Sequence, residues 1–243
     1  MRATIVAEIG SNWEGSLSKA KKLIRLSKKA GADAVKFQIW RAKDLYSSKH
    51  PHWKDIKKSE LSFKKIKILK KYSDEIGIEF FCSAFYPEAV EILEKLKVKQ
   101  YKIASRTCLL KDPHSLETLE KKSKSKKPVV ISMVLGGDRK KIEKIFSNNK
   151  KLFCYCISEY PTKIDKINWN HAMNYDGFSD HTLGISAPII FTIMKKQRKT
   201  KEIFIEKHVK LKNSKGPDAS SSIDVEELKM LVNQIRIIQK LNF

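Results

Sequence analysis

The residues best placed to do chemistry lie in two short runs, Ser179-Asp180-His181 and Glu206-Lys207-His208. Each closes a short apolar stretch, 175–178 in the first case and 203–205 in the second. Neutral imidazole is a ligand for Mn²⁺, Fe²⁺ or Zn²⁺. Two imidazoles just past the ends of buried strands, with oxygen groups beside them, would hold a metal and leave positions open for water and substrate. A lone histidine is more often a satisfied core or loop residue, so the expectation rests on His181 and His208 as a pair. His50, His52, His114 and His171 fall outside the pattern.

A second set consists of polar residues that interrupt apolar runs or end them. Glu8 interrupts the run 4–9, Lys36 and Gln38 interrupt 34–39, and Lys102 interrupts 100–104. An unpaired buried charge is expensive. Glu8 and Lys36 therefore read equally well as a structural ion pair and as working charges. Lys36 and Lys102, with the strand-end hydroxyls of Ser83, Ser105, Ser132, Ser158, Tyr160 and Ser179, suit a phosphate: the cations supply charge and the hydroxyls directed donors. Any one of these serines alone would be a turn or cap residue.

The elements that must position these groups alternate regularly. Strands are expected over 4–9, 34–39, 78–82, 100–104, 128–131, 152–157, 175–178 and 203–206. Helices are expected over 16–30, 60–76, 87–96, 115–122, 139–146, 164–173, 185–195 and 225–241. Ser16 is a helix N-cap by type, Gly31 a C-terminal stop, and Pro87 a first-turn residue. Eight strand–helix units predict an α/β fold of the (β/α)8 TIM-barrel kind, one domain over residues 1–243. An open doubly wound sheet is the alternative, but no Gly-x-Gly-x-x-Gly follows the first strand. In such a barrel the chemistry sits at the C-terminal strand ends. Every unit contributes at least one polar residue there.

Composition bounds the partners. The formal charge of +23 over 243 residues raises the question of a polyanion. The lysines are spread over several helices and rarely interleaved with aromatics, which reads as a solvated surface. No nucleic-acid motif is present, so nucleic acid is not an expected partner. The four cysteines include no Cys-x-x-Cys pair, which fits reduced thiols. No apolar run approaches the roughly 20 residues that span a bilayer. With a strand directly at the N-terminus, the expectation is a cytoplasmic protein with no membrane association.

Several of these motifs together resemble one family. Ala7-Glu8-Ile9-Gly10 with Asn12, Ala32-Asp33-Ala34-Val35-Lys36-Phe37-Gln38, Tyr101-Lys102-Ile103-Ala104-Ser105, Tyr160-Pro161-Thr162, Ser179 to Gly184, Ile205 to His208 and Gly216-Pro217-Asp218 look like sialic acid synthases. This is the N-acetylneuraminate synthase family, which includes legionaminate and pseudaminate synthases and spore-coat polysaccharide proteins. The resemblance implies a barrel that condenses phosphoenolpyruvate with an N-acetylated hexosamine, giving a 2-keto sugar acid and phosphate. It implies that His181 and His208 hold a divalent metal, Mn²⁺ or Mg²⁺. Lys36, Lys102, Ser105, Ser132 and Ser179 would bind phosphoenolpyruvate, with Ser83, Ser158 and Tyr160 nearby. Gln38 and Asp218 would contact the sugar, and Glu8 and Lys36 would be catalytic. A homodimer is implied too.

The sequence departs from the family pattern at Trp13, at Arg106-Thr107, at Ser132-Met133-Val134 and at Ser83-Ala84, all expected near the pocket. The C-terminal antifreeze-like domain that donates an arginine to the sugar is expected to be missing. A separate chain would then have to supply it, or Arg106 substitute for it. Two alternatives follow: a barrel that keeps phosphate and metal binding as a regulatory subunit, and a basic polyanion-binding protein.

Overall fold

Strands that are apolar on both faces must be covered on both sides. Here they are covered by closing on themselves and by a ring of helices. The computed structural model describes residues 1–242. Its strands are β1 (Arg2–Glu8), β2 (Ala34–Ile39), β3 (Glu79–Ala84), β4 (Tyr101–Ile103), β5 (Val129–Met133), β6 (Lys151–Cys156), β7 (Gly177–Asp180) and β8 (Glu202–His208). All pair in parallel and in chain order, and β1 pairs with β8 from Arg2↔Glu202 to Glu8↔His208, closing the barrel.

Residues two apart on a strand share a face. Val6, Ala34, Phe81, Val130, Cys154 and Phe204 point inward and fill the barrel with an apolar plug. Two residues further along the same strands come Glu8, Lys36, Ser83, Ser132, Cys156 and Glu206. The polar layer is thus the next inward layer above the plug, toward the C-terminal mouth. The outward faces pack with the helices into the larger apolar layer.

The helices follow their caps. Ser16 accepts from Lys19 N to start Leu17–Lys29, which buries Ala20, Leu23, Ile24 and Ser27. Asp224 and Glu227 form a capping box at the start of Val225–Lys240. The helix expected from residue 60 begins only at Phe63, because Ser62 is its cap and the Glu60 carboxylate instead accepts from Ala42 N. The helix expected over 164–173 is broken into a 3-10 turn, Ile164–Lys166, and a short helix, Trp169–Ala172. Between them Asn168 is extended and its side chain accepts from His171 N, so the chain restarts rather than continuing.

β7 and β8 each run two residues past their expected ends, so Ser179 and His208 are strand residues rather than loop residues. No helix among the described residues is long and apolar enough to cross a membrane.

Gly177 opens β7 at a close approach of neighbouring strands. A Cβ there would lie 2.5 Å from Phe204 O and 2.8 Å from Cys154 Sγ. Since the nearer obstacle is backbone, Gly177→Ala is expected to destabilise by about 1–3 kcal/mol, lowering the thermal midpoint by several degrees. An unchanged midpoint would mean that the strands yield freely at this point.

Candidate active site

Four buried charges meet inside the mouth. Lys36 Nζ contacts Glu8 Oε2 directly and lies 3.4 Å from Glu206 Oε2. Lys102 Nζ lies 3.3 Å from Glu206 Oε1 and donates to Ser132 Oγ at 2.6 Å. Ser179 Oγ donates to Glu206 Oε1 at 2.6 Å, and Lys36 Nζ donates to Ser83 Oγ at 3.3 Å. Gln38 Nε2 donates to Glu8 Oε1 at 3.2 Å. All four charged groups are at most 4% exposed.

The registers make this compact: Glu8 lies opposite Lys36, Ser83 opposite Lys102 and Ser179 opposite Glu206. Burial alone would raise the Glu206 carboxyl, but Lys102, Lys36 and the Ser179 hydroxyl overcome it and hold the group at about 2. Burial pulls the Lys36 ammonium down to about 8 against the attraction of Glu206, and Glu8, in direct contact, favours its charged form.

On the outer face of the same strand ends, Asp180 lies opposite Lys207. Lys207 Nζ donates to Asp180 Oδ2 at 2.6 Å and also to Thr182 O, with both side chains fully buried. Asp180 Oδ1 accepts from Thr182 N at 2.8 Å. Asp180 is thus an orienting residue: it fixes the turn that carries His181.

His181 and His208 stand together at the mouth, ring centroids 5.4 Å apart. His181 Nδ1 lies 2.7 Å from Ile157 O, and a carbonyl only accepts, so Nδ1 carries the proton and Nε2 keeps its lone pair. Burial, reinforced by His208, lowers the His181 pKa to about 4, so the ring is neutral at ordinary pH. Burial lowers His208 as well, against the pull of Asp218. His208 Nδ1 is buried without a hydrogen-bond partner, 4.0 Å from Asp218 Oδ2.

Two neutral imidazoles, one with an orphaned nitrogen, are a donor set that fits a divalent metal. No group of three His, Cys, Asp or Glu side chains is assembled for a metal among the described residues. Such an ion would therefore take its other ligands from water or substrate.

With this geometry in view, the comparisons with known proteins are decisive at the level of family. The NeuB family pattern matches residues 23–242. The chain belongs to the NeuB family. It is 36% identical to an uncharacterised protein of Methanocaldococcus jannaschii, over 98% of this chain and 71% of that one. It is 32% identical to the N,N'-diacetyllegionaminic acid synthase of Campylobacter jejuni, over 98% of this chain and 77% of that one. Among solved structures, the N-acetylneuraminic acid synthetase of Leptospira borgpetersenii superposes with a TM-score of 0.86 at 26% identity, covering 99% of this chain and 85% of that one.

Within this NeuB-family barrel the expected site residues fall into groups. Glu8, Lys36, Gln38, Ser83, Lys102, Ser132 and Ser179 join in one network. Ser105 and Ser158 pair with each other, Oγ to Oγ 3.0 Å, beside it. Tyr160 lies at the rim, its ring 4.1 Å from that of His181. Asp218 Oδ2 accepts from both Ser11 N and Ser11 Oγ, at 2.8 and 2.7 Å, which ties the loop after β8 to the loop after β1. Gly10 makes room for it, since a Cβ there would meet Asp218 Oδ2 at 2.5 Å.

Two expectations change. Trp13 is 1% exposed and packs in the outer apolar layer, with Lys65 Nζ 4.8 Å from its ring, so its indole is core rather than pocket lining. Arg106 is bound in a fork by Asp112 and donates to Leu45 O at 2.6 Å. Its guanidinium is therefore committed to the wall and does not stand in for a sugar-binding arginine. The residue that sequence reading left without a role is Glu206, the hub of the network. The signal was present: it lies two residues before His208 and so shares its inward face.

Removing one partner of a buried ion pair strands the other. Lys207→Met is expected to cost about 3–5 kcal/mol in urea unfolding, far more than substitution of an exposed lysine such as Lys71. Equal effects at the two positions would show that the Asp180–Lys207 pair does not hold the turn.

Proposed function

We propose that this NeuB-family chain condenses phosphoenolpyruvate with an N-acetylated hexosamine or a related sugar, giving a sialic-acid-like 2-keto sugar acid and inorganic phosphate. One observation carries the reading. Two buried lysines ringed by hydroxyls lie beside two neutral, adjacent imidazoles, all at one barrel mouth. The first half suits a phosphorylated carboxylate and the second a polarised carbonyl. The relatives named as synthases of such sugar acids support the same class of reaction.

In this reading Lys102 with Ser132, and Lys36 with Ser83, receive the anionic oxygens of phosphoenolpyruvate, and Ser105, Ser158 and Ser179 complete the hydroxyl ring. Gln38, Tyr160 and Asp218 orient the sugar above it. His181 and His208 would hold a divalent ion, Mn²⁺ or Mg²⁺, which when bound supplies Lewis acidity for the sugar's aldehyde oxygen.

The bond that forms joins C3 of the enol phosphate to the aldehyde carbon, whose oxygen gains a proton and becomes a hydroxyl. Water adds at C2, and the bond from C2 to the phosphate oxygen breaks, leaving the ketone and inorganic phosphate. Glu8, held between Lys36 and Gln38, is placed to take the proton released by the water. Glu206 keeps both lysines charged and spaced when no substrate is bound. The protein would act in the cytoplasm, as a homodimer or with a separate chain over the mouth.

The test is phosphate release from phosphoenolpyruvate, followed with and without a panel of N-acetylhexosamines and with and without Mn²⁺. Release is expected only when sugar and metal are both present. His181→Ala and His208→Ala should each lower the rate by about 10²–10³-fold, the scale of losing one transition-state contact. A wild-type protein that binds phosphoenolpyruvate and Mn²⁺ yet releases no phosphate with any sugar would falsify the proposal.

A further inference from the structure

Five lysines are buried among the described residues: Lys36, Lys102, Lys122, Lys195 and Lys207. Lys36 and Lys102 share Glu206, and Lys207 has Asp180. Lys195 donates to Met173 O and is favoured in its charged form by the nearby Asp176. Lys122 differs from all of these. It is fully buried on the helix Ser115–Lys124, no carboxylate lies within ion-pair distance, and its Nζ donates only to Ala84 O, at 2.8 Å.

The groups around Lys122 do not neutralise it. Cys108 and Cys82 face it with thiols that burial pushes up, so they stay protonated. The acids of the neighbouring helices are taken elsewhere: Glu91 by Lys121, Glu94 by Lys127 and Glu143 by Arg139.

Its place in the wall matters. Ala84 ends β3, and its neighbour Ser83 faces inward, accepts from Lys36 and lies opposite Lys102. Lys122 therefore stands behind the strand whose inner face carries the anion-binding groups. Burial chiefly, then the nearby charges of Lys102 and Lys36, lowers it to about 7. A neutral donor could hold one carbonyl at much lower cost. The inner cluster gives the extra charge a use. Lys36 and Lys102 are cancelled there by Glu8 and Glu206, so the cluster has no net charge to offer an incoming anion.

We propose that Lys122 is the third cation of the anion pocket, a positioning residue that holds the Ser83 end of β3 and supplies from behind the wall the positive charge that the neutral inner cluster lacks. The inference rests on the function proposed above. It requires that binding a phosphorylated carboxylate draws a proton onto Lys122.

Calorimetric titration with phosphoenolpyruvate near neutral pH, in two buffers of different ionisation enthalpy, reads both affinity and proton uptake. Lys122→Gln keeps a donor for Ala84 O without the charge, and Lys122→Met keeps neither. Both variants are expected to bind about fivefold more weakly, the scale of one screened charge at moderate distance, and to take up fewer protons than wild type. Should the Met variant fail to fold, the Gln variant decides. Wild-type affinity and proton uptake in Lys122→Gln would overturn the charge role while leaving the proposed function intact. A wild-type protein that binds no phosphoenolpyruvate would overturn that function, and this inference with it.

Discussion

Everything at the barrel mouth depends on Glu206 being able to satisfy two lysines at once. An ammonium inside a protein is costly to bury, because solvent is not there to screen it, and a nearby anion offsets most of that cost. Lys36 comes from β2 and Lys102 from β4, so neither can be served by a sequence neighbour. One carboxylate reaching across from β8, 3.4 and 3.3 Å from the two ammoniums, serves both only if the sheet closes on itself. Closure is enforced below by the apolar plug and at the seam by the β1–β8 ladder. The charges therefore depend on the fold, and the fold tolerates them because they cancel.

The same strand ends carry a second, separate pair on the outside. Ser179 with Glu206 faces in, and Asp180 with Lys207 faces out, at successive rungs of one ladder. The inner rung belongs to the pocket. The outer rung fixes Thr182 from two sides, through its N–H and its carbonyl, and so sets the turn in which His181 donates to Ile157 O. A dry pair is a rigid one, since no water competes for its hydrogen bonds. That rigidity fixes the turn from which the His181 ring stands beside that of His208, centroids 5.4 Å apart.

Much of this was legible in the sequence, for reasons that can be named. Charged residues inside apolar runs gave away Glu8, Lys36 and Lys102, because burial makes such residues rare unless they are used. The alternation of strands and helices gave the barrel. Strand ends were less legible. β7 and β8 continue through Ser179-Asp180 and Lys207-His208, whose polarity resembles a loop when their partners are unseen. Glu206 falls inside the expected strand 203–206, but beside Lys207 its direction is not apparent from type alone: one faces the pocket and the other a buried aspartate. Counting inward residues by twos from Phe204 separates them. Arg106 and Trp13 show the opposite error. Both sit next to pocket residues in sequence, but sequence adjacency does not fix the direction of a side chain: Arg106 turns to Asp112 in the following loop, and Trp13 to Lys65 from a distant helix.

The large positive charge of the chain acquires a place in this picture without a polyanion partner. A cluster of two lysines and two glutamates is neutral, so its attraction for a multiply charged small anion falls off quickly with distance. The approach of such an anion is governed instead by the field of the whole surface, which at a formal +23 is strongly favourable. Once inside, screening by solvent is lost and nearby buried charge decides the affinity. In the proposed reaction the surface lysines and the buried ones would act at different stages: the first would collect the anion, and the second, arranged by strand register, would hold it in one orientation. A chain organised this way can carry many exposed lysines that contact nothing, while under the proposal above a single buried lysine without a carboxylate partner would carry more of the binding than its one hydrogen bond to Ala84 O suggests.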